Sequence, residues 1–340
     1  MPSTRGPRLV LAVGVVAGLV NAVAFPLTQP EQVALASDVY YYAARAALSG
    51  GDFYLTPAAQ PGFRYPPVVV LAFLPHALLG DPALAYALQV ALDLAAAAGV
   101  AAISVRAIER TGVSLARLDR LLVAAYCLAS VTVVTNLVMG QVNHLLALAI
   151  AGGALLLERD RGAESGVAFG LAALVKLFPA LVGVWLLRRR AWRAIAAATV
   201  TGTTLSLAGV AAFGPAVSET FVTHVLTGEL AVASFPHGPD PTAPYVTIRR
   251  QLTALVPGLP SDLLLVVGAF VLAPVFVGVN RVHATLRDRL VALLGTLLAT
   301  LVLFPLEPFY LTLALFPLVP LLYCVEAGPP RRLLVVGAFV

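Results

Sequence analysis

Apolar residues in this chain come in long unbroken runs separated by short arginine-bearing segments. This is neither the alternation of a half-buried strand nor the one-sided stripe of a surface helix. The runs are 9–27, 66–80, 82–105, 119–137, 142–157, 162–187, 197–213, 262–280, 290–306 and 308–325. A helix rises about 1.5 Å per residue and a bilayer's hydrocarbon is about 30 Å thick, so most runs are near the length of a span. Backbone N–H and C=O groups in hydrocarbon must bond within their own segment, which selects helices. The pattern predicts an all-α, polytopic transmembrane helical bundle of roughly 8–10 spans, a single membrane domain over residues 1–340. Two stretches rich in Pro, Gly, Asp, Thr and Tyr, 28–65 and 214–261, are expected as long non-cytoplasmic loops. The final apolar piece, Leu333 to Val340, makes only about 12 Å of helix and cannot cross, so the chain is expected to end at the surface or to be cut short.

Composition agrees with lipid as the solvent. Hydrophobic residues make up 60% of the chain and charged residues 11%, against about 25% charged in a soluble domain. A soluble exterior could not be covered with so few polar side chains. The net charge of +5 is no nucleic-acid signal, because the arginines sit in short clusters between apolar runs (Arg106 to Arg120, Arg188 to Arg190, Arg281 to Arg289). Such clusters flank membrane spans and meet anionic lipid. Arg5 and Arg8 precede a run long enough to span, which favours an uncleaved first helix over a signal peptide. Cys127 and Cys324 both lie in apolar stretches, so neither a disulfide framework nor a metal site is expected, and no cofactor.

Topology stays open at two places. With the N-terminus inside, loop 28–65 is outside; if 66–80 and 82–105 both span, the arginines from 106 to 120 are outside too, against the positive-inside tendency. Either 66–80 is re-entrant or the tendency is broken. Lys176 and Pro179 likewise leave 162–187 open between one span and two short helices.

Loop 28–65 carries the richest chemistry. Ser37 is a suitable N-cap and Gly50 a suitable stop, which predicts a short surface helix over 38–48. Asp38, Tyr41, Tyr42 and Arg45 then share one face at helical spacing. A carboxylate, a cation and aromatic faces together suit a sugar and a phosphate; equally, Asp38 simply complements the helix dipole. The loop ends in Arg64-Tyr65-Pro66-Pro67. Lys176 is the chain's single lysine, flanked by uncharged residues from Ser165 to Leu187. An intramembrane cation points to function, with a lipid phosphate as natural partner, or else it snorkels from a helix end. Gln141 and Asn143 offer neutral amides for sugar hydroxyls or only turn a hairpin. Arg249 and Arg250, after His237-Gly238-Pro239-Asp240-Pro241, clamp a phosphate or mark a membrane boundary. His76, Asp93 and His144 lie within runs with no partner at useful spacing.

Three stretches carry a resemblance: Asp38-Val39-Tyr40-Tyr41-Tyr42-Ala43-Ala44 with Gly51-Asp52-Phe53-Tyr54 and Tyr65-Pro66-Pro67; Gly140-Gln141-Val142-Asn143; and Gly170 to Lys176 and Pro179 with Arg188-Arg189-Arg190-Ala191-Trp192. Their order and spacing over about residues 10–195 resemble glycosyltransferase family 87, polyprenyl-phosphate-mannose-dependent mannosyltransferases of the GT-C fold. The resemblance implies transfer of a hexose, mannose by preference, from a polyprenyl-phosphate donor to a lipid or glycan acceptor. It implies inversion, with Asp38 as general base on the acceptor hydroxyl and cations meeting the departing phosphate. It also implies a plasma-membrane enzyme working at the non-cytoplasmic face. The chain departs from the pattern near Phe304-Pro305-Leu306-Glu307-Pro308-Phe309-Tyr310, where a Ser-Pro segment followed by histidine is expected; Glu307 and Tyr310 are the polar groups there. The second long loop lacks the Asn-Gln-Ser-like segment expected before Arg249. A ligase or polymerase of lipid-linked glycans is a rival enzyme. A transporter or flippase would call for paired intramembrane charges and repeat symmetry, and neither is visible.

A cysteine placed at Gly51 in a chain without Cys127 and Cys324 is expected to react with an impermeant thiol reagent added to intact cells. Labelling only after lysis would place loop 28–65 in the cytoplasm.

Overall fold

The computed structural model of the chain describes residues 4–59, 62–227, 245–304, 306–326 and 328–338. They form an all-α membrane bundle. Its α-helices are α1 (Arg5–Thr28), α2 (Leu35–Leu48), α3 (Leu74–Leu78), α4 (Pro82–Arg110), α5 (Arg117–Ala129), α6 (Val131–Met139), α7 (Asn143–Leu157) and α8 (Gly162–Val175). There follow α9 (Val182–Arg188), α10 (Trp192–Thr220), α11 (Ile248–Leu255), α12 (Ser261–Val279), α13 (Leu286–Leu303), α14 (Leu315–Cys324) and α15 (Pro329–Gly337). Among the described residues α1, α4 and α10 (with its continuation to Leu226) are long and apolar enough to cross a membrane, and α5 with α6, bent by 40° at Ser130, is long and apolar enough when the two are taken together.

Charged ties gather one end of this bundle. Arg8 of α1 donates from Nε and Nη2 to the two carboxylate oxygens of Asp119 on α5, both at 2.8 Å, and Tyr323 of α14 donates to the same carboxylate at 3.2 Å. Glu158, just past α7, accepts from Arg189 beyond α9 and from Arg289 on α13. Each bridge fixes which helix ends share a side, and the arginine clusters all collect there.

That register resolves both open segments. Residues 66–80 do not span: Pro67–Phe73 is a 3-10 helix and α3 adds only five residues. Proline-rich sequence favours short 3-10 pieces over a continuous helix. Residues 106–120 therefore return to the arginine-rich end, and the positive-inside conflict disappears. Residues 162–187 do not span either. Glu158 and Arg189 meet, so the chain between them leaves the basic end as α8, breaks at Lys176, and comes back through a 3-10 helix (Phe178–Leu181) and α9. This is a re-entrant hairpin with Lys176 at its tip.

The long loops are also more structured than expected. Helix α10 runs past residue 213, kinked at Gly214–Pro215, and continues as a π-helix over Phe221–Leu226; α11 occupies the far part of the second loop. The segment His237 to Pro241, and Pro305, lie outside the described residues. In the first loop α2 is largely buried rather than lying on a surface. It starts at Leu35, three residues before the expected position, because Ala34 takes a left-handed turn (φ 60°) and donates its N–H to Val138 O at 2.8 Å. Ser37 is fully buried within its first turn and caps nothing. The rest of the loop packs a second core of Tyr40, Phe53, Tyr54, Phe63, Tyr65 and Phe73.

Helix α8 is held upright by its glycines. Gly162, Gly166 and Gly170 recur every fourth residue and face α10, where a Cβ on Gly166 would lie 2.2 Å from Ala194 O. Small residues at this spacing let helix backbones touch, the usual way membrane helices gain packing contacts. Gly166→Ala is expected to destabilise the purified protein by about 1–3 kcal/mol. The control Gly152→Ala, at a site with open space around it, should be neutral or slightly stabilising by up to about 1 kcal/mol. Equal thermal midpoints for the two variants would contradict the tight α8–α10 contact.

Candidate active site

A cavity of about 1080 Å³ opens between α2, the re-entrant hairpin, α10 and the segment 304–310. Most of its wall is apolar, supplied by residues such as Val39, Leu174, Phe178, Leu186 and Phe221. Its polar lining includes Tyr40, Arg64, Tyr65, Gln141, Lys176 and Tyr310.

Lys176 is there because its helix stops. Its backbone is extended (φ −136°, ψ 129°), directly before Leu177-Phe178-Pro179, and the proline has no N–H with which to continue α8. The ammonium donates to the Tyr310 hydroxyl at 3.0 Å and sits 4.3 Å from that ring's centroid. Phe178 packs edge-on against the same ring at 5.2 Å. Tyr310 belongs to a 3-10 helix, Pro308–Ala314, that precedes α14.

The opposite wall is tied just as firmly. The Tyr40 and Tyr65 hydroxyls meet at 2.9 Å, Tyr40 also reaches Gln141 Oε1 at 3.3 Å, and Tyr54 donates to Tyr65 O at 2.6 Å. Tyr40 stacks on Phe73 with centroids 4.2 Å apart. Gln141 arrives on a tight turn whose Gly140 has φ 67° and packs on Ser37, where a Cβ would come within 2.8 Å. Glycine suits both demands at once. Glu307 is half-buried beside this pole. Burial raises its carboxyl above the ordinary glutamate value, while the fields of Lys176 and Arg64 pull the other way.

The face of α2 singled out by its spacing points elsewhere. Leu35, Ala36, Val39 and Tyr40 line the cavity, and at about 100° per residue Asp38, Tyr41, Tyr42 and Arg45 occupy a face about 140° around the helix. Asp38 is half-exposed, its carboxyl raised by partial burial. Tyr41 is buried and accepts from Arg45 at 3.2 Å. Asn143 is wholly buried and donates to Asn136 Oδ1 at 2.6 Å instead of facing the cavity. Arg249 is buried and Arg250 half-buried on α11, and neither is among the described lining residues. So the fold assembles Arg64, Tyr65, Gln141, Lys176 and Tyr310 around one space, with Glu307 in their field, and sets Asp38, Tyr41, Tyr42, Arg45, Asn143, Arg249 and Arg250 apart from that lining.

Two features escape a reading along the chain. Tyr40 sits inside the Asp38 motif as a spacer, yet it is the residue that lines the cavity. And His76, Asp93 and His144 do have partners. His76 Nε2 bonds Gln89 Oε1 at 3.1 Å, Gln89 donates to Asp93 Oδ2 at 3.1 Å, and His144 Nδ1 lies 3.6 Å from Asp93 Oδ1. Gln89 and Asp93 are an i,i+4 pair within α4, but the links to His76 on α3 and His144 on α7 join separate elements, so no spacing within one run reveals those two. Among the described residues no group of three or more His, Cys, Asp or Glu side chains converges to hold a metal.

An apolar cavity with a cationic, hydroxyl-rich pole suits an amphiphile with an anionic head. The sequence model of glycosyltransferase family 87 matches residues 63–305. The chain belongs to glycosyltransferase family 87. The family match takes in Arg64, Tyr65, Gln141, Lys176, Arg249 and Arg250 while starting after Asp38 and ending before Glu307. A curated relative is 33% identical over 141 residues, 42% of this chain and 33% of the relative. It is named a polyprenol-phosphate-mannose-dependent alpha-(1-2)-phosphatidylinositol pentamannoside mannosyltransferase, from Mycolicibacterium smegmatis. The chain thus matches a third of that protein's length. No solved structure matches the chain.

In this family-87 protein, Lys176→Met is expected to weaken binding of farnesyl phosphate, used as a simple anionic amphiphile, by about tenfold or more, since it removes a charged hydrogen-bond donor. Lys176→Arg should keep part of the affinity, a planar guanidinium being an imperfect substitute for an ammonium. Unchanged affinity in the Met variant would return Lys176 to a snorkelling role.

Proposed function

We propose that this protein transfers a hexose, mannose in the first instance, from a polyprenyl phosphate to a lipid or glycan acceptor with inversion. The observation that carries the proposal is Lys176 at the tip of a re-entrant hairpin, bonded to Tyr310 in the wall of a largely apolar cavity. A cation at membrane depth is costly, and a phosphate monoanion or diester at the same depth is its natural counter-charge. The apolar wall then takes the prenyl chain, and Tyr40, Tyr65 and Gln141 face the sugar. The curated relative supports mannose, since its name specifies polyprenol-phosphate mannose. The basic end, by the positive-inside tendency, faces the cytoplasm. The cavity pole lies toward the other end, in keeping with a multi-pass plasma-membrane enzyme whose site is non-cytoplasmic.

In this chemistry the acceptor hydroxyl loses its proton to a carboxylate and attacks the anomeric carbon from the face opposite the phosphate. The bond to the polyprenyl phosphate breaks, and its charge grows where Lys176 and Arg64 can meet it. A single displacement inverts the centre and needs no carboxylate nucleophile. The resemblance assigns the base to Asp38. A second candidate is Glu307, which is next to the lining residue Leu306 and feels the fields of both cavity cations, whereas Asp38 is on the face of α2 turned away from the cavity. An acceptor approaching from outside the donor cavity would meet Asp38 first.

Asp38→Asn and Glu307→Gln are expected to separate these roles in nanodiscs supplied with polyprenyl-phosphate mannose and a crude lipid-acceptor pool. The base variant should lose about 10²–10⁴-fold in turnover while still binding donor; the other should lose far less. Both carboxyls are raised by burial, and the base must be ionised. The acid limb of kcat/KM should therefore fall at a pH above the ordinary carboxylate range, about 4. Wild-type turnover in both variants would remove both residues from the chemistry.

A further inference from the structure

The two walls of the cavity pole come from distant parts of the chain, and one buried amide joins them. Asn136, near the end of α6, is wholly buried. Its Nδ2 lies among three acceptors: Thr132 O at 2.7 Å in its own helix, and Phe309 O and Thr312 Oγ1, both at 2.9 Å, in the 3-10 helix that carries Tyr310. Its Oδ1 accepts from Asn143 Nδ2 at 2.6 Å, and its backbone O accepts from Gln141 N at 2.9 Å. Asn143 is equally buried.

We propose that Asn136 is the positioning residue of the cavity pole: it sets Tyr310, and through Tyr310 the Lys176 ammonium, while Asn143 keeps the Asn136 carboxamide in register. This rests on the reading of the cavity as a lipid-phosphate site. A 3-10 helix has poor internal hydrogen-bond geometry and holds its place by outside contacts. Here the contact falls on the carbonyl immediately before Tyr310 and on a hydroxyl two residues after it. The Asn136 carboxamide cannot be replaced by an apolar side chain without cost, because Phe309 O would then be left buried without that donor. The same residue fixes Gln141 through its backbone, so it sets both the cation–hydroxyl pair and the amide across from it. Asn143, expected as a sugar contact, acts in this arrangement one step back from the ligand.

A purely structural role and a positioning role differ in whether they act through Tyr310. The test is a double-mutant cycle on the affinity of purified full-length protein in nanodiscs for farnesyl phosphate, with thermal midpoints measured alongside. Asn136→Leu and Tyr310→Leu should each weaken binding about tenfold, the loss expected for one good hydrogen-bonded contact. The double variant should bind no worse than Tyr310→Leu alone. If Asn136→Leu does not fold, Thr312→Val removes one acceptor with little change of shape and should weaken binding about threefold, again only when Tyr310 is present. Additive losses, or a lowered midpoint with unchanged affinity, would overturn the positioning role and leave the lipid-phosphate site standing. No binding of farnesyl phosphate by the wild type would overturn the lipid-phosphate reading and this proposal with it.

Discussion

A backbone amide at membrane depth has no water to bond to, so a chain in lipid stays helical except where protein or a cavity satisfies the freed groups. In this structure several departures from regular α-helix lie at or beside one place. Helix α8 stops at Lys176 and returns through a 3-10 turn, residues 67–73 and 308–314 are 3-10 rather than α, and α10 ends in a π-helix at 221–226. Lys176, Tyr310 and Phe221 from these irregular segments line the same cavity. The breaks are where polar groups can be exposed inside a membrane protein.

The rest of the bundle keeps those breaks in position. At the basic end, Asp119 and Glu158 each receive bonds from two partners on different helices, which locks helix ends together. Glu158 in particular makes α8–α9 a hairpin, because it brings residue 189 back beside residue 158. Along the hairpin's outgoing arm the glycines of α8 sit directly on the α10 backbone. Lys176 is thus carried about 20 Å along a rigid strut of 14 residues. Above it, the aromatic core of the first loop closes the pole with Tyr40 and Tyr65, a polar lining mounted on hydrophobic rings.

This division of labour explains why some motif residues sit apart from the cavity. In a helix such as α2, neighbouring positions point in different directions, so a motif that reads as one unit splits into a cavity-facing side and a side turned away from the cavity. Tyr40 and Asp38 are two residues apart and serve different spaces. Asn143 and Gln141 likewise divide, one bonded inward to Asn136, the other open to the cavity.

Much of this architecture is legible in the amino-acid sequence by itself. Runs of apolar residues specify a membrane bundle because their solvent is the same everywhere along a span, and the arginine clusters mark one end of it. The single lysine, the Tyr-Pro-Pro turn and the Gly-Gln-Val-Asn turn are local events, and residues from each of them meet at the cavity. What the pattern of the chain leaves undecided is set by contacts between residues far apart. Whether 66–80 and 162–187 cross depends on a bridge from Glu158 to Arg189 and on short 3-10 geometry that hydrophobicity does not report. The start of α2 depends on Val138, 104 residues from Ala34. His144 reaches Asp93 from another helix, and the amide that joins Gln141 to Tyr310 lies on a separate helix from Tyr310. Local pattern records what each residue prefers as a solvent; only tertiary packing decides which polar groups, each barred from water, find one another.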